Sequence, residues 1–257
     1  SETNLINRAA GEAPVKVSQE TIQLIDRSIR ISRITQGAFD ITYGSIDKRL
    51  WNFDQTLSAL PDRRTSRRMT RLIDYRNILI DHEESTVMLR HKGMRIGFGG
   101  IGKGYAAEMA KIVMIRQGAE SGIVNASGDL TVWGTQPDGT AWTVGIAHPD
   151  LSGHPFASME MRDGAVATSG NYEKYVIING KKYSHTIDPK TGLPVTGIKS
   201  VTIFSPNAEI CDALATPVTI MGVETGINLV NQLRDVECVI IDDDNRLYTS
   251  ENIKFSN

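Results

Sequence analysis

Tyr175-Val-Ile-Ile-Asn-Gly-Lys-Lys-Tyr-Ser184 is the stretch whose reading decides the fold. Two strand-forming runs, Tyr175 to Ile178 and Lys182 to Ser184, flank Asn179-Gly180, a dipeptide that tolerates the positive φ angles of a two-residue hairpin. Strands joined that tightly are antiparallel. Upstream, Trp142 to Ala147 and Phe156 to Met161 alternate or run apolar, and the chain reads as strands from Gly122 to Ser205. Shorter strands are expected at 77–81 and 86–90, and a closing hairpin around Asp242 to Asn245. Helical spacing occurs elsewhere. Ser18 caps a segment with Ile22, Ile25 and Ile29 on one face and Gly37 beyond it. Met109, Ile112, Val113 and Arg116 recur three and four apart ahead of Gly118, and two further helices are read at 211–221 and 223–233. Strict β-α-β alternation is absent. The pattern predicts an α+β fold of mixed, largely antiparallel sheets with packed helices, forming one domain over residues 1–257 without repeats or a linker.

The composition, 257 residues with 40% apolar and 23% charged, is that of an ordinary globular chain long enough for a sizeable core. A net charge of −2 gives no global field to hold nucleic acid. Arg63, Arg64, Arg67, Arg68 and Arg71 would share a face if helical, but without interleaved aromatics they read as a solvated face, not a nucleic-acid surface. The two cysteines, Cys211 and Cys238, are too few for a disulfide scaffold and lack zinc-site spacing. No apolar run approaches the roughly 20 residues that cross a bilayer. The chain opens at Ser1 without an initiator Met, as expected of a processed or trimmed product.

Three segments carry groups that could do chemistry. Gly97-Phe-Gly-Gly100-Ile-Gly-Lys103-Gly104 leads into a helix, where close-packed amides, the helix N-terminus and a lysine suit a phosphate. A plain strand-to-helix turn explains the same glycines, and the segment is neither a Walker sequence nor a dinucleotide fingerprint. Asp212-Ala-Leu-Ala-Thr216 puts a carboxylate and a hydroxyl at i and i+4 on one helical face, which suits a hard cation such as Mg²⁺. A capping aspartate is the alternative. In Ser184-His185-Thr186-Ile-Asp188-Pro-Lys-Thr191-Gly192 a histidine leaves a strand and meets a turn, a setting for a general base. His82, His91, His148 and His154 have no comparable setting. Asn125 to Asp129 and Thr168 to Tyr172 offer hydroxyls and amides for a nucleotide or for local turns. Asp242-Asp-Asp-Asn245 lacks the glycine and glutamate of a calcium loop and reads as a hairpin tip.

Taken in order, Gly37-Ala-Phe-Asp-Ile-Thr42, the glycine turn with Lys103-Gly-Tyr-Ala-Ala107, Asn125-Ala-Ser-Gly-Asp129, Thr168-Ser-Gly-Asn-Tyr172, His185-Thr-Ile-Asp-Pro-Lys-Thr-Gly192 and Asp212-Ala-Leu-Ala-Thr216 resemble the ApbE family of FAD:protein FMN transferases. The resemblance spans nearly the whole chain, from the opening Ser1-Glu-x-x-x-x-Asn7. It implies a Mg²⁺ site formed by the side chains of Asp212 and Thr216 and the Gly100 carbonyl. It also implies an FAD pocket lined by Ala38, Phe39, Asp40, Lys103 and Thr186, with His185 as the general base. The implied reaction cleaves FAD at its pyrophosphate and attaches FMN through a phosphoester to Thr or Ser of an acceptor protein, releasing AMP. By the same resemblance the enzyme would act on the periplasmic side of the cytoplasmic membrane, often as a lipoprotein, on subunits of membrane redox complexes. Alternatives are a Mg²⁺-dependent FAD pyrophosphatase and a non-catalytic flavin-binding protein.

The chain also departs from the family pattern. Gly97 stands where Asp is usual, Gly102 where Ala is common and Ser127 where Gly is common. Pro217 after Thr216 predicts a helix kink. The resemblance places a further N-terminal strand and a flavin-packing aromatic ahead of Ser1.

Overall fold

The computed structural model describes residues 1–46, 59–147, 155–170, 175–178 and 180–253. In chain order the elements are α1 (Glu2–Arg8), β1 (Val15–Lys16), α2 (Gln19–Ile34), α3 (Arg63–Thr70), β2 (Ile78–Asp81), β3 (Thr86–Leu89), α4 (Gly102–Arg116), β4 (Gly122–Ala126), β5 (Asp129–Trp133) and β6 (Trp142–Ala147). They continue with β7 (Pro155–Met161), β8 (Gly164–Gly170), β9 (Tyr175–Ile178), β10 (Lys181–Ser184), β11 (Ile198–Ser205), α5 (Ala208–Met221), α6 (Val223–Val230), β12 (Glu237–Asp242) and β13 (Leu247–Thr249). The chain groups into two compact units, each assembled from two segments: residues 1–99 with 176–195, and residues 100–175 with 196–257.

The first unit contains a small antiparallel sheet, β1-β3-β2, and the β9-β10 pair. Asn179, half of the expected hairpin turn, lies outside the described residues, as do His148, His154, Asn171 and Tyr172. Ser18 caps α2 as its sequence predicts, its hydroxyl accepting from the Thr21 amide at 3.2 Å. The Glu2 carboxylate of α1 then accepts from the Ser18 amide and hydroxyl, both at 2.8 Å, which ties the two helix starts together. Asp62 caps α3, whose buried face is Ser66, Met69 and Thr70, and the arginines 63, 64, 67, 68 and 71 are exposed. The turn at 188–192 packs on that helix. Gly192 has φ +69°, and a Cβ there would lie 2.6 Å from the Ser66 carbonyl oxygen. Ile187 joins Met69 and Ile46 in a small core beside the same turn.

A six-stranded antiparallel sheet, ordered β13-β12-β11-β8-β5-β4, organises the second unit. Alternation along each strand separates its faces. Val132, Val166, Phe204 and Val239 turn one way and pack with Val144 and Ile146 of the β6-β7 pair. The other face meets α4 and α5. There the Cys211 thiol donates to the Ala165 carbonyl of β8 at 3.3 Å and lies 3.2 Å from the Ser205 hydroxyl. Burial pushes the Cys211 thiol up to about 12 and the Cys238 thiol up to about 11, so both remain protonated packing groups.

Helix α4 corrects the sequence reading. Met109, Ile112, Val113 and Arg116 do not form its buried stripe: Val113 is 55% exposed, and the buried residues are Gly104, Ala107 and Glu108. The reason is close approach to α5. A Cβ on Gly104 would sit 2.1 Å from the Ala208 carbonyl oxygen and 2.7 Å from the Asp212 Cβ, so only glycine admits this contact. The two helices also exchange caps. Ile101, at the N-cap of α4, makes no side-chain capping bond, and the Gly104 amide instead donates to Asp212 Oδ2 of α5 at 2.9 Å. In return the Ala208 amide at the start of α5 donates to Glu108 Oε2 of α4 at 3.0 Å. Helix α5 runs through Pro217 to Met221, with Asn207, not Asp212, as its own N-cap.

Two predictions follow from these contacts. Gly104→Ala should lower the unfolding free energy by about 2–4 kcal/mol in urea melts, since the added methyl forces the helices apart and weakens both caps. Gly99→Ala, whose Cβ meets nothing within 4 Å, serves as the control and should be near neutral. At the β4-β5 turn Ser127 has φ +56° beside Gly128 at +100°. Relieving a non-glycine residue of the left-handed conformation should make Ser127→Gly more stable by about 0.5 kcal/mol, read as a raised urea midpoint.

Candidate active site

Three charged groups meet at the first turn of α4 in the second unit. Asp212 projects from α5, Lys103 from α4, and Asp129 from the start of β5. Strand alternation sets Asp129 on the same face as the buried Thr131, the side of the sheet that carries the helices. Lys103 Nζ lies 2.9 Å from Asp129 Oδ2; the carboxylate is 2% exposed and the lysine 45%. Burial first, then the Asp129 charge, push Asp212 up to about 6, against the opposing pull of the Gly104 amide and the Lys103 ammonium. Two carboxylates in a nearly dry setting repel each other, and a cation relieves that repulsion.

Thr216 follows Asp212 by four residues on α5 and is half-buried, and Gly100 precedes α4, also half-buried. Among the described residues no three His, Cys, Asp or Glu side chains converge to hold a metal. A cation at Asp212 would therefore rest on mixed oxygen donors, carboxylate, hydroxyl and backbone carbonyl, completed by water or phosphate. That is the donor chemistry of Mg²⁺. The residues fit the ion.

In the first unit, Ala38, Phe39 and Asp40 follow α2 and are all buried. The Phe39 amide donates to the Thr35 hydroxyl at 3.1 Å. Asp40 is occupied locally. One of its oxygens accepts from the Thr42 amide at 2.8 Å and the Thr42 hydroxyl at 2.6 Å, the other from the Tyr75 amide at 2.9 Å. Burial raises its pKa against the pull of these bonds. The carboxylate thereby fixes the backbone of the segment that carries Ala38 and Phe39.

His185 follows β10 and is half-buried, and Thr186 beside it is buried. The backbone here is well held. The Thr186 amide donates to the Ser184 hydroxyl at 2.9 Å, and its carbonyl accepts from the Val195 amide at 2.9 Å. The turn that follows closes on itself, with Asp188 accepting from the Lys190 amide at 2.9 Å and the Thr191 hydroxyl at 3.0 Å. The backbone beside His185 is thus held by hydrogen bonds at Thr186 and in the following turn.

Two placements, one in each unit, have no local sequence signal of their own. Asp129 sits in a segment read only as an offer of hydrogen bonds, and its partnership with Lys103 joins residues from different elements. Asn7 donates to the Ile96 carbonyl at 2.9 Å and accepts from the Ile96 amide at 2.7 Å, pairing like a strand residue. It lines a groove of about 1180 Å³ in the first unit together with Asn4, Arg8, Ser45, Arg95 and Gly97. The match of the opening Ser1-Glu-x-x-x-x-Asn7 to a family pattern was the only pointer to it. The Thr168 hydroxyl is engaged across the sheet with Thr202 at 2.9 Å.

Comparison with known proteins gives the family and the fold. The sequence profile of the ApbE family matches residues 1–240. The FAD:protein FMN transferase of Treponema pallidum is 31% identical over 96% of this chain and 72% of its own length. The protein of the same name from Klebsiella pneumoniae is 29% identical over 92% of this chain and 73% of its own length. Among solved structures, the ApbE protein of Thermotoga maritima superposes with a TM-score of 0.87 at 31% identity, covering 98% of this chain and 82% of that one. The flavin transferase ApbE from Vibrio cholerae gives 0.83 at 26% identity, over 97% and 81% of the two chains. With the family profile matching residues 1–240, a relative at 31% identity and the same fold in the solved structures, this chain belongs to the ApbE family.

Proposed function

We propose that this chain is an FAD:protein FMN transferase that uses Mg²⁺ and attaches FMN through a phosphoester to a Thr or Ser hydroxyl of an acceptor protein. The observation that carries the reading is the buried Asp212 carboxylate at the amide-rich start of α4, beside Asp129 and Lys103 and one turn from Thr216. Asp212, Thr216 and the Gly100 carbonyl would hold the ion. When bound, Mg²⁺ neutralises charge on the pyrophosphate and on the departing AMP. The first amides of α4 and the Lys103 ammonium favour the same anion. On the first unit, the groove beside Asn7 is of nucleotide size, and the segments bearing Ala38, Phe39, Asp40 and Thr186 would contact the flavin nucleotide. An added Cβ at Gly97 meets nothing within 4 Å, so the missing family aspartate leaves room and not a collapsed backbone.

In the reaction His185 takes the proton of the acceptor hydroxyl as its oxygen bonds to the FMN phosphorus. The bond from that phosphorus to the bridging oxygen breaks, and AMP leaves with the electron pair. Water in place of the hydroxyl would give FMN and AMP. By family resemblance the acceptors are subunits of membrane redox complexes, met on the periplasmic side.

The test is incubation with FAD and Mg²⁺, with and without a threonine-bearing acceptor domain, followed by intact-mass spectrometry and nucleotide chromatography. An FMN adduct that requires Mg²⁺ and appears with AMP supports transfer. FMN and AMP without an adduct would make the chain a pyrophosphatase, and FAD intact in every tube would make it a binding protein. Asp212→Asn, which preserves an oxygen for the Gly104 amide, should keep the fold and lose roughly 100-fold or more of Mg²⁺-dependent turnover. His185→Ala should bind FAD as before and transfer FMN about 10²–10⁴-fold more slowly. A His185→Ala rate equal to the parent's would place the base elsewhere.

A further inference from the structure

We propose that Asp129 is a positioning residue that holds the Lys103 ammonium off Asp212 and so keeps the Asp212 carboxylate open to a divalent cation. The inference rests on the reading of Asp212 as a metal ligand. Lys103 and Gly104 are neighbours in the first turn of α4, and the Gly104 amide is bonded to Asp212. That arrangement roots the lysine arm one residue from the amide that Asp212 receives. A charge-assisted bond between the two would be strong in such buried surroundings, and it would fill the carboxylate with a resident cation. Asp129 competes for the same ammonium and takes it, at 2.9 Å.

Its position lets it do so. At the first residue of β5 and 2% exposed, Asp129 is fixed by the sheet, whereas Lys103 is 45% exposed on a flexible arm. Asp129, 2% exposed against 6% for Asp212, is the more deeply buried carboxylate and has the greater need of a counter-charge. Asp212 already has a backbone donor in Gly104. The ammonium thus meets the Asp129 charge as an ion pair without leaving the neighbourhood, where it still favours phosphate.

Substitution of Asp129 should redirect Lys103 to Asp212. The test is Mn²⁺ affinity of the full chain without FAD, read by electron paramagnetic resonance of free Mn²⁺ and checked by Mg²⁺ competition, for the parent, Lys103→Met, Asp129→Asn, Asp129→Ser and the double variants. Both Asp129 variants should weaken Mn²⁺ binding about tenfold. Lys103→Met should change the affinity less than about threefold in the parent but restore about tenfold where Asp129 is replaced, a coupling that a sum of charges does not produce. Equal factors for Lys103→Met in both backgrounds would reduce the trio to net charge and overturn the proposal. It is also overturned if the double variants stay as weak as the single ones, because Asp129 would then act on the ion itself. If the parent binds no Mn²⁺, the metal reading fails and the proposal falls with it, whereas parent binding with unaltered Asp129 variants sinks the proposal alone.

Discussion

Helices α4 and α5 are fastened by an exchange of caps. Helix α4 begins with Gly102-Lys103-Gly104 behind Ile101, a sequence without a side chain to receive its amides, and it takes Asp212 from α5. Helix α5 takes Glu108 from α4. Neither helix can slide without unpairing both ends, each bond being a charge-assisted one at a buried helix terminus. Gly104 makes the exchange possible by letting the backbones approach, and the sheet beneath fixes the angle at which they meet. The chemistry is built on the same bonds. The carboxylate that closes α4 is also the one proposed to hold a cation, and its orientation is set by the fold.

This double duty has an electrostatic cost. Asp129 and Asp212 are both buried, and one lysine, Lys103, pairs with Asp129. A core optimised for stability would not keep such a pair, since buried carboxylates destabilise unless every charge is met. Its presence where two helices and a strand converge is what the proposed binding role would require.

Much of this was legible in the sequence because it is local. Ser18 with its following isoleucines, the Gly122–Ser205 strands and the Asp242–Asn245 tip each carry their own signal within a few residues. The tip is a hairpin in which Asp242 accepts from the Asp244 and Arg246 amides. What the sequence hid is non-local. The stripe on α4 misled because a helix packed through glycine and alanine buries small residues and a capping glutamate, and so leaves Val113, Met114 and Ile115 outside. Asp212 read equally as a cap for its own helix, but it caps another, and the bond joins residues 108 positions apart. Asp129 and Asn7 escaped for the same reason: their partners, Lys103 and Ile96, lie in other elements.

Each compact unit is made of two separated stretches of chain, and this imposes an order on biosynthesis. As the polypeptide leaves the ribosome, α4 and strands β4 to β8 emerge before β11, which pairs with β8 and carries β12 on its other edge. Until residues 196–257 have emerged, β8 is an unprotected edge and the amides of α4 have no carboxylate to receive them. The His185 segment, likewise, reaches the first unit only after most of the second has been translated. Until then the partly emerged chain carries an open sheet edge, the feature through which incomplete sheets associate wrongly.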